Sequence, residues 1–117
     1  MDKIFILHNN RCGKSRAALK LLEESGKPFE IINYLDGVLS AKDIAELLKK
    51  LNIKALELIR VKEDAFQAYK NKDYSEEEWL QILEKEPKLI ERPILYTSTK
   101  ALIGRPTEKV EEFLKQL

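Results

Sequence analysis

The residues best suited to chemistry stand near the start of the chain, where the single cysteine, Cys12, follows the single histidine, His8, by four positions. The apolar run at residues 4–7 predicts a buried strand, and residues 14–25 have the pattern of a helix. Cys12 is therefore expected between a strand and the N-terminus of a helix, where unpaired N–H groups favour an anion. The sequence predicts a reactive thiol in an oxyanion site.

The neighbours of Cys12 favour a reactive thiol over an inert buried one. A free thiol titrates near ~8.5, and a helix N-terminus with nearby cations lowers that value. Three cations flank the thiol, namely Arg11, Lys14 and Arg16. Ser15 stands within reach of the sulfur if the loop curls into the helix, and His8 fits either a structural role or the tuning of Cys12. One histidine and one cysteine are too few for a zinc site, so no metal is expected.

Arginines form the second informative pattern, because the chain has sixteen lysines but only five arginines. Apart from the two beside Cys12, these are Arg60, Arg92 and Arg105, and each is predicted at the end of an element. A guanidinium offers a planar fork of donors that suits tetrahedral oxyanions, which lysine does not. Arg92 and Arg105 flank a predicted hairpin and can lie at the same end of it. Surface salt bridges are the competing interpretation for any one arginine.

The composition describes a folded protein with no electrostatic signature for nucleic acid or an anionic membrane. Its 117 residues are 44% hydrophobic and 35% charged, and the formal net charge is +1. No apolar run approaches the ~20 residues of a membrane span, and no signal-peptide core is evident. A lone cysteine cannot form an internal disulfide. We therefore expect a cytoplasmic protein, and a monomer because no oligomerisation signal is present.

The order of predicted elements indicates an α/β fold. A strand, a helix and a second strand over residues 29–34 form a βαβ unit. Ser40 and Ser75 then resemble helix N-caps in a region, from about Ser40 to Lys85, that is predicted to be all helical. Strands return at residues 94–96 and 101–103, and Pro106 fits the first turn of a last helix.

This order is that of a thioredoxin-like core, a four-stranded mixed sheet (βαβ…ββα), with a helical insertion at about residues 40–86 in one domain, 1–117. That fold keeps its active thiol at the first strand-to-helix junction, where Cys12 is predicted. A cis Arg92–Pro93 bond is expected at the start of the third strand, with Pro93 in a structural role, because thioredoxin-like proteins keep a cis-proline opposite the active cysteine.

The combined motifs resemble the glutaredoxin-dependent arsenate reductases and, more broadly, the arsenate reductase/Spx family. The matching segments, in the family's order and spacing, are His8-Asn9, residues 11–16, Tyr34-Leu35, residues 58–60, residues 89–94 and residues 103–106. The resemblance implies that Cys12 attacks arsenic and that Arg60, Arg92 and Arg105 hold the arsenate, with Arg16 also assigned to substrate binding. It further implies that His8 and Ser15 favour the thiolate.

The same resemblance implies that glutathione, as co-substrate, attacks the arsenic adduct and that glutaredoxin reduces the mixed disulfide, with no bound cofactor. One cysteine without an internal partner agrees with an external second thiol. The family usually has proline where this chain has Asn10. Spx-type regulators carry a Cys-x-x-Cys switch and bind RNA polymerase, but position 15 is serine here. A polymerase-binding regulator and a glutathione-dependent oxidoreductase with another substrate remain the alternative hypotheses.

Overall fold

Four short strands build the sheet that positions the start of the chain. In a computed structural model, which describes residues 3–117, the strands are β1 (Ile4–Leu7), β2 (Phe29–Ile32), β3 (Ile94–Tyr96) and β4 (Ala101–Ile103). They lie in the order β2-β1-β3-β4. β1 pairs parallel with β2 and antiparallel with β3, and β3 and β4 form an antiparallel hairpin. The predicted mixed, four-stranded α/β sheet is confirmed.

Two helices supply the apolar partners of this sheet. These are α1 (Gly13–Ser25), which ends at Gly26 in the left-handed conformation, and α4 (Glu108–Lys115). The predicted glycine cap of α1 is therefore confirmed. Buried residues of the sheet and both helices form one core cluster: Ile4, Ile6, Ala18, Leu22, Leu95, Val110, Phe113 and Leu114. Within residues 3–117, no helix combines the length and apolar character needed to cross a bilayer.

Two predicted boundaries in this part of the chain are wrong. β2 ends at Ile32, and Tyr34 instead opens a 3₁₀ turn, Tyr34–Asp36. The strand stops there because its only partner, β1, ends at Leu7, which is the residue paired with Ile32. Pro106 lies before α4 rather than in its first turn, because the helix begins at Glu108 with Thr107 as its N-cap.

The segment Leu35–Glu91 forms a compact unit of its own, and the remaining residues form the other. It contains α2 (Ala41–Leu51) and α3 (Glu76–Lys85), whose predicted caps at Ser40 and Ser75 both form capping boxes. The single-domain interpretation of the chain stays a prediction.

The region from about Ser40 to Lys85, which was predicted to be all helical, consists of helical segments joined by turns, and it departs from the prediction at Ile59. Short 3₁₀ segments, Ala55–Leu58 and Asp64–Ala68, connect the two α-helices. Ile59 pairs with Ile90 as an isolated β-bridge. The backbone groups of the residues beside this bridge are hydrogen-bonded across it, from Arg60 N–H to the Leu89 carbonyl and from Glu91 N–H to the Leu58 carbonyl. Those groups are therefore not available to continue a helix.

Candidate active site

Cys12 occupies the N-cap position of α1, at the end of the loop that follows β1. An N-cap side chain normally presents an acceptor to the N–H groups of the second and third helical residues. Here those residues are Lys14 and Ser15; the thiol forms no capping hydrogen bond of ordinary geometry, but both N–H groups act on the sulfur. The thiol is 8% exposed, so it is largely shielded from water. This placement confirms the predicted strand-to-helix junction.

The surroundings of the sulfur favour its charged form. Burial acts to raise the pKa of Cys12, but the backbone N–H groups of Ser15 and Lys14 and the guanidinium of Arg92 act to lower it. The lowering contributions prevail, and the pKa of the thiol lies below its ordinary value. A larger fraction of Cys12 is therefore thiolate, the nucleophilic form, near neutral pH.

The depressed pKa gives a direct prediction for alkylation. The rate at which iodoacetamide modifies Cys12 should follow the thiolate fraction, so its pH profile should have a midpoint clearly below ~8.5. The Arg92→Ala variant should move this midpoint upward, because it removes one of the groups that stabilise the thiolate. A wild-type midpoint at the value of a free thiol would contradict an activated Cys12.

Strand register brings the two late arginines to the thiol. Leu7 at the end of β1 pairs with Ile94 at the start of β3, and Ile94 in turn pairs with Ile103 at the end of β4. The short segments before β3 and after β4 consequently lie at the sheet end where the Cys12 loop begins. Arg92 and Arg105 each stand two residues from these strand ends, and Arg105 Nε donates to the Arg92 carbonyl, so the prediction that both lie at one end of the hairpin is confirmed.

The Arg105 side chain donates a hydrogen bond to the sulfur. Its Nη2 lies 3.6 Å from Cys12 Sγ, while its Nε donates to the backbone carbonyl of Arg92 at 2.7 Å. One edge of the guanidinium is thus anchored to the chain, and the other faces the thiol. The Arg92–Pro93 peptide bond is cis, as expected from the sequence, and so is Arg105–Pro106.

Gly104 is required for this approach of the hairpin to α4. Its N–H donates to the Pro93 carbonyl at 2.8 Å. A Cβ at this position would lie 2.9 Å from Val110 Cγ2 and 3.0 Å from Pro93 Cγ, closer than side chains normally pack. Because Gly104 has no side chain, the backbone next to Arg105 packs directly against Val110 and Pro93. This packing positions the Cα from which the Arg105 side chain extends.

His8 and Ser15 form a buried network beside the thiol. His8 is 3% exposed, and its Nδ1 lies 2.6 Å from Ser15 Oγ. Its Nε2 lies 2.6 Å from Asn10 Oδ1, and Ser15 Oγ also accepts the Asn9 N–H at 3.0 Å. The tautomer with its proton on Nε2 fits both contacts, since Nε2 then donates to the Asn10 oxygen and Nδ1 accepts from the Ser15 hydroxyl. The network orders the Cys12 loop through its own backbone and side chains.

The contacts of His8 and Ser15 differ from the simplest form of their predicted roles. His8 contacts Ser15 and Asn10, and the group through which Ser15 acts on the sulfur is its backbone N–H rather than its hydroxyl. Whether the two residues favour the thiolate stays a prediction. The family usually has proline at position 10, and proline has no side-chain acceptor. Asn10 supplies an acceptor to His8, and the sequence did not suggest this contact.

The other two arginines predicted to bind substrate, Arg16 and Arg60, form hydrogen bonds or ion pairs with groups other than the thiol. Arg16 is exposed, and its Nη1 donates to the Asn10 carbonyl at 2.8 Å, which braces the loop. Arg60 belongs to the Leu35–Glu91 unit, where its Nη1 and Nε lie 3.3 Å from carboxylate oxygens of Glu63 and Glu91. Their participation in substrate binding stays a prediction.

Tyr34 is a residue of this region that sequence reasoning missed. The sequence places it in a strand and favours a packing role, although the Tyr34-Leu35 pair is one of the segments that carries the family resemblance. Its side chain is fully buried, and none of the described residues accepts its hydroxyl proton. The side chains of Asn9 and Arg92 approach the oxygen as donors, and Cys12 acts on it through its charge. The only sequence signal for a role of Tyr34 was therefore its place in the Tyr34-Leu35 motif. The hydrophobic pattern counts tyrosine as an apolar residue and so predicts packing alone.

Comparison with known proteins agrees with this geometry. The model of the ArsC family matches residues 7–113. The chain belongs to the ArsC family. Among curated ArsC-like relatives, an arsenate reductase of Neisseria meningitidis is 38% identical, covering 97% of this chain and 100% of its own length. An arsenate reductase of Haemophilus influenzae is 37% identical, covering 95% of this chain and 98% of its own length.

The solved structures of ArsC-like proteins confirm the fold. An arsenate reductase from Vibrio cholerae superimposes with a TM-score of 0.88 at 32% identity, covering 95% of this chain and 97% of that chain. The thioredoxin-like α/β prediction is thereby confirmed. The family assignment from the sequence motifs is confirmed as well, since the ArsC match spans the segment from the end of β1 to α4.

Proposed function

We propose that this ArsC-family protein is an arsenate reductase in which the Cys12 thiolate attacks arsenic. The observation that carries the proposal is the convergence of donors on one sulfur. The backbone N–H groups of Lys14 and Ser15 and the guanidinium groups of Arg92 and Arg105 all act on it. Such a cluster stabilises the thiolate and also suits a tetrahedral oxyanion held against it. The names of the similar proteins support arsenate as that oxyanion.

The proposed reaction balances as a two-electron reduction. Cys12 forms a sulfur–arsenic bond, and one arsenate oxygen leaves as water. Glutathione then attacks the Cys12 sulfur of this adduct, and the electron pair of the sulfur–arsenic bond stays with arsenic, which leaves as arsenite. The enzyme is left as a mixed disulfide between Cys12 and glutathione. The net change is that one arsenate and two thiols give one arsenite, one disulfide and one water.

The remaining step requires a second external thiol. Cys12 is the chain's only cysteine, so no internal residue can resolve the mixed disulfide. We assign this step to glutaredoxin, which attacks the glutathione sulfur and returns Cys12 to its thiolate. The cytoplasm is the expected compartment because thiols are kept reduced there. We expect the chain to act as a monomer without a bound cofactor, with Arg16 and Arg60 as auxiliary oxyanion ligands.

An arsenate reduction assay tests the proposal. Purified protein with arsenate, glutathione and glutaredoxin should produce arsenite, and omission of glutaredoxin should slow turnover after the first cycle. Substituting thioredoxin for glutathione and glutaredoxin tests the identity of the reductant. If no arsenite forms with either reductant while Cys12 remains reduced and alkylatable, arsenate is not the substrate.

A further inference from the structure

The Tyr34 hydroxyl is a buried polar group whose proton has no acceptor among the described residues. The side chain is 0% exposed, and no residue among 3–117 accepts its hydroxyl proton, although the side chains of Asn9 and Arg92 approach the oxygen as donors. Nearly all buried hydroxyls in folded proteins have a partner, because an unpaired one loses its hydrogen bonds to water without replacement. An isolated exception beside a reactive thiol therefore requires an explanation.

The orphaned hydroxyl lies among groups that surround the thiol. The side chains of Asn9 and Arg92 act on its oxygen as donors, and Cys12 acts on it through its charge. Asn9 and Cys12 belong to the loop that joins β1 to α1. Arg92 carries a second buried donor without a partner, its Nε. Two unsatisfied groups that can donate hydrogen bonds thus lie close to the one nucleophile of the chain. An anion that entered this site would satisfy both.

The hydroxyl is suited to donate rather than to carry charge. Burial raises the pKa of Tyr34; the positive charge of Arg92 acts in the opposite direction, and the Cys12 thiolate again raises it. The pKa lies above its ordinary value, so the phenol keeps its proton at neutral pH. A neutral phenol next to a guanidinium adds a hydrogen-bond donor without adding further positive charge, which suits it to one oxygen of an oxyanion.

We infer that the Tyr34 hydroxyl is an additional ligand of the Cys12 site, donating a hydrogen bond to an oxygen of the oxyanion that the thiol attacks. The inference rests on the proposed function for the location of the substrate. It extends that function by adding a neutral donor to the two arginines. It also explains why the hydroxyl is unsatisfied in the free protein, since its partner arrives with the substrate.

The Tyr34→Phe variant separates binding from folding. It keeps the buried ring and removes only the unpaired hydroxyl, so its melting temperature should equal or exceed that of the wild type. Binding is measured by the protection that inorganic phosphate gives Cys12 against iodoacetamide, because phosphate has the shape of arsenate but is not reduced by thiols. Loss of one hydrogen bond to a charged ligand should weaken this protection about tenfold or more, and kcat/KM for arsenate by a similar factor.

Tyr74→Phe is the matched control, because the Tyr74 ring packs against Tyr69 and Trp79 in the other unit. It should leave protection and turnover unchanged. Wild-type protection in Tyr34→Phe would overturn the inference, as would no protection of the wild type by phosphate. A raised Cys12 pKa with unchanged protection would also overturn it, since the hydroxyl would then serve the thiolate alone. Weakened protection without arsenate turnover in the wild type would leave the inference standing and refute the proposed function.

Discussion

Replacing Cys12 with serine should reduce arsenate turnover by roughly 10³-fold or more, the largest effect expected of any single substitution in this chain. Serine differs by one atom, but its hydroxyl stays protonated at neutral pH. It also cannot form the disulfide whose formation supplies two electrons to arsenic. The donors that act on the sulfur would then have no anion to stabilise. Steady-state arsenite production with saturating glutathione and glutaredoxin measures the loss.

The Cys12→Ser result is informative only if the fold persists. Cys12 is an N-cap, and serine is a favoured N-cap residue, so the melting temperature should not fall. The variant should also lose all labelling by iodoacetamide. Arsenite production at more than about a tenth of the wild-type rate would show that another group performs the reduction and would remove Cys12 from the mechanism.

Arg92→Ala and Arg105→Ala should each reduce kcat/KM for arsenate by about 10²-fold or more. Removal of one preorganised donor from an oxyanion site commonly costs on the order of 10²–10³-fold. Arg105 faces the sulfur from 3.6 Å, and Arg92 lowers the pKa of the thiol. Lysine should restore only part of the activity at either position, because it retains the charge without the fork.

Both arginines should also affect the thiol itself. Arg92→Ala should raise the pKa of Cys12 as well as weaken turnover, since Arg92 is among the groups that depress that pKa. Arg105→Ala should act in the same direction, because the Arg105 guanidinium faces the sulfur from 3.6 Å. Arg11→Ala is the matched control, because Arg11 is exposed and carries the same charge one residue from Cys12. Equal kinetics for the control and both variants would remove these arginines from the site.

The parts of the fold that could be predicted are those set by local sequence. The apolar run of β1, the glycine that ends α1, and the serines that cap α2 and α3 all have local causes, and each was predicted correctly. The errors arise where long-range pairing decides. β2 ends where its partner strand ends, and the Ile59–Ile90 bridge interrupts a segment that local propensity describes as helical.

In the candidate site, too, the features with local causes could be predicted and those that depend on tertiary contacts could not. The residue type and neighbours of Cys12 predict its chemistry, and the placement of Arg92 and Arg105 at the ends of one hairpin predicts that they lie together. The sequence does not reveal which backbone N–H groups reach the sulfur, nor the Asn10–His8 contact, because both depend on how the loop closes. The Tyr34 hydroxyl could not be singled out, since only the tertiary structure shows that it is buried with no acceptor for its proton among the described residues.

The most direct test of the central claim is the reaction of the protein with arsenate and one equivalent of glutathione per chain in the absence of glutaredoxin. The proposed reaction predicts one arsenite released per chain and one glutathione joined to Cys12, with the intact mass increased by one glutathione less two hydrogens. Phosphate in place of arsenate should give neither product. Arsenite released without modification of Cys12, or Cys12 joined to glutathione at the same rate without arsenate, would contradict attack of this thiolate on arsenic.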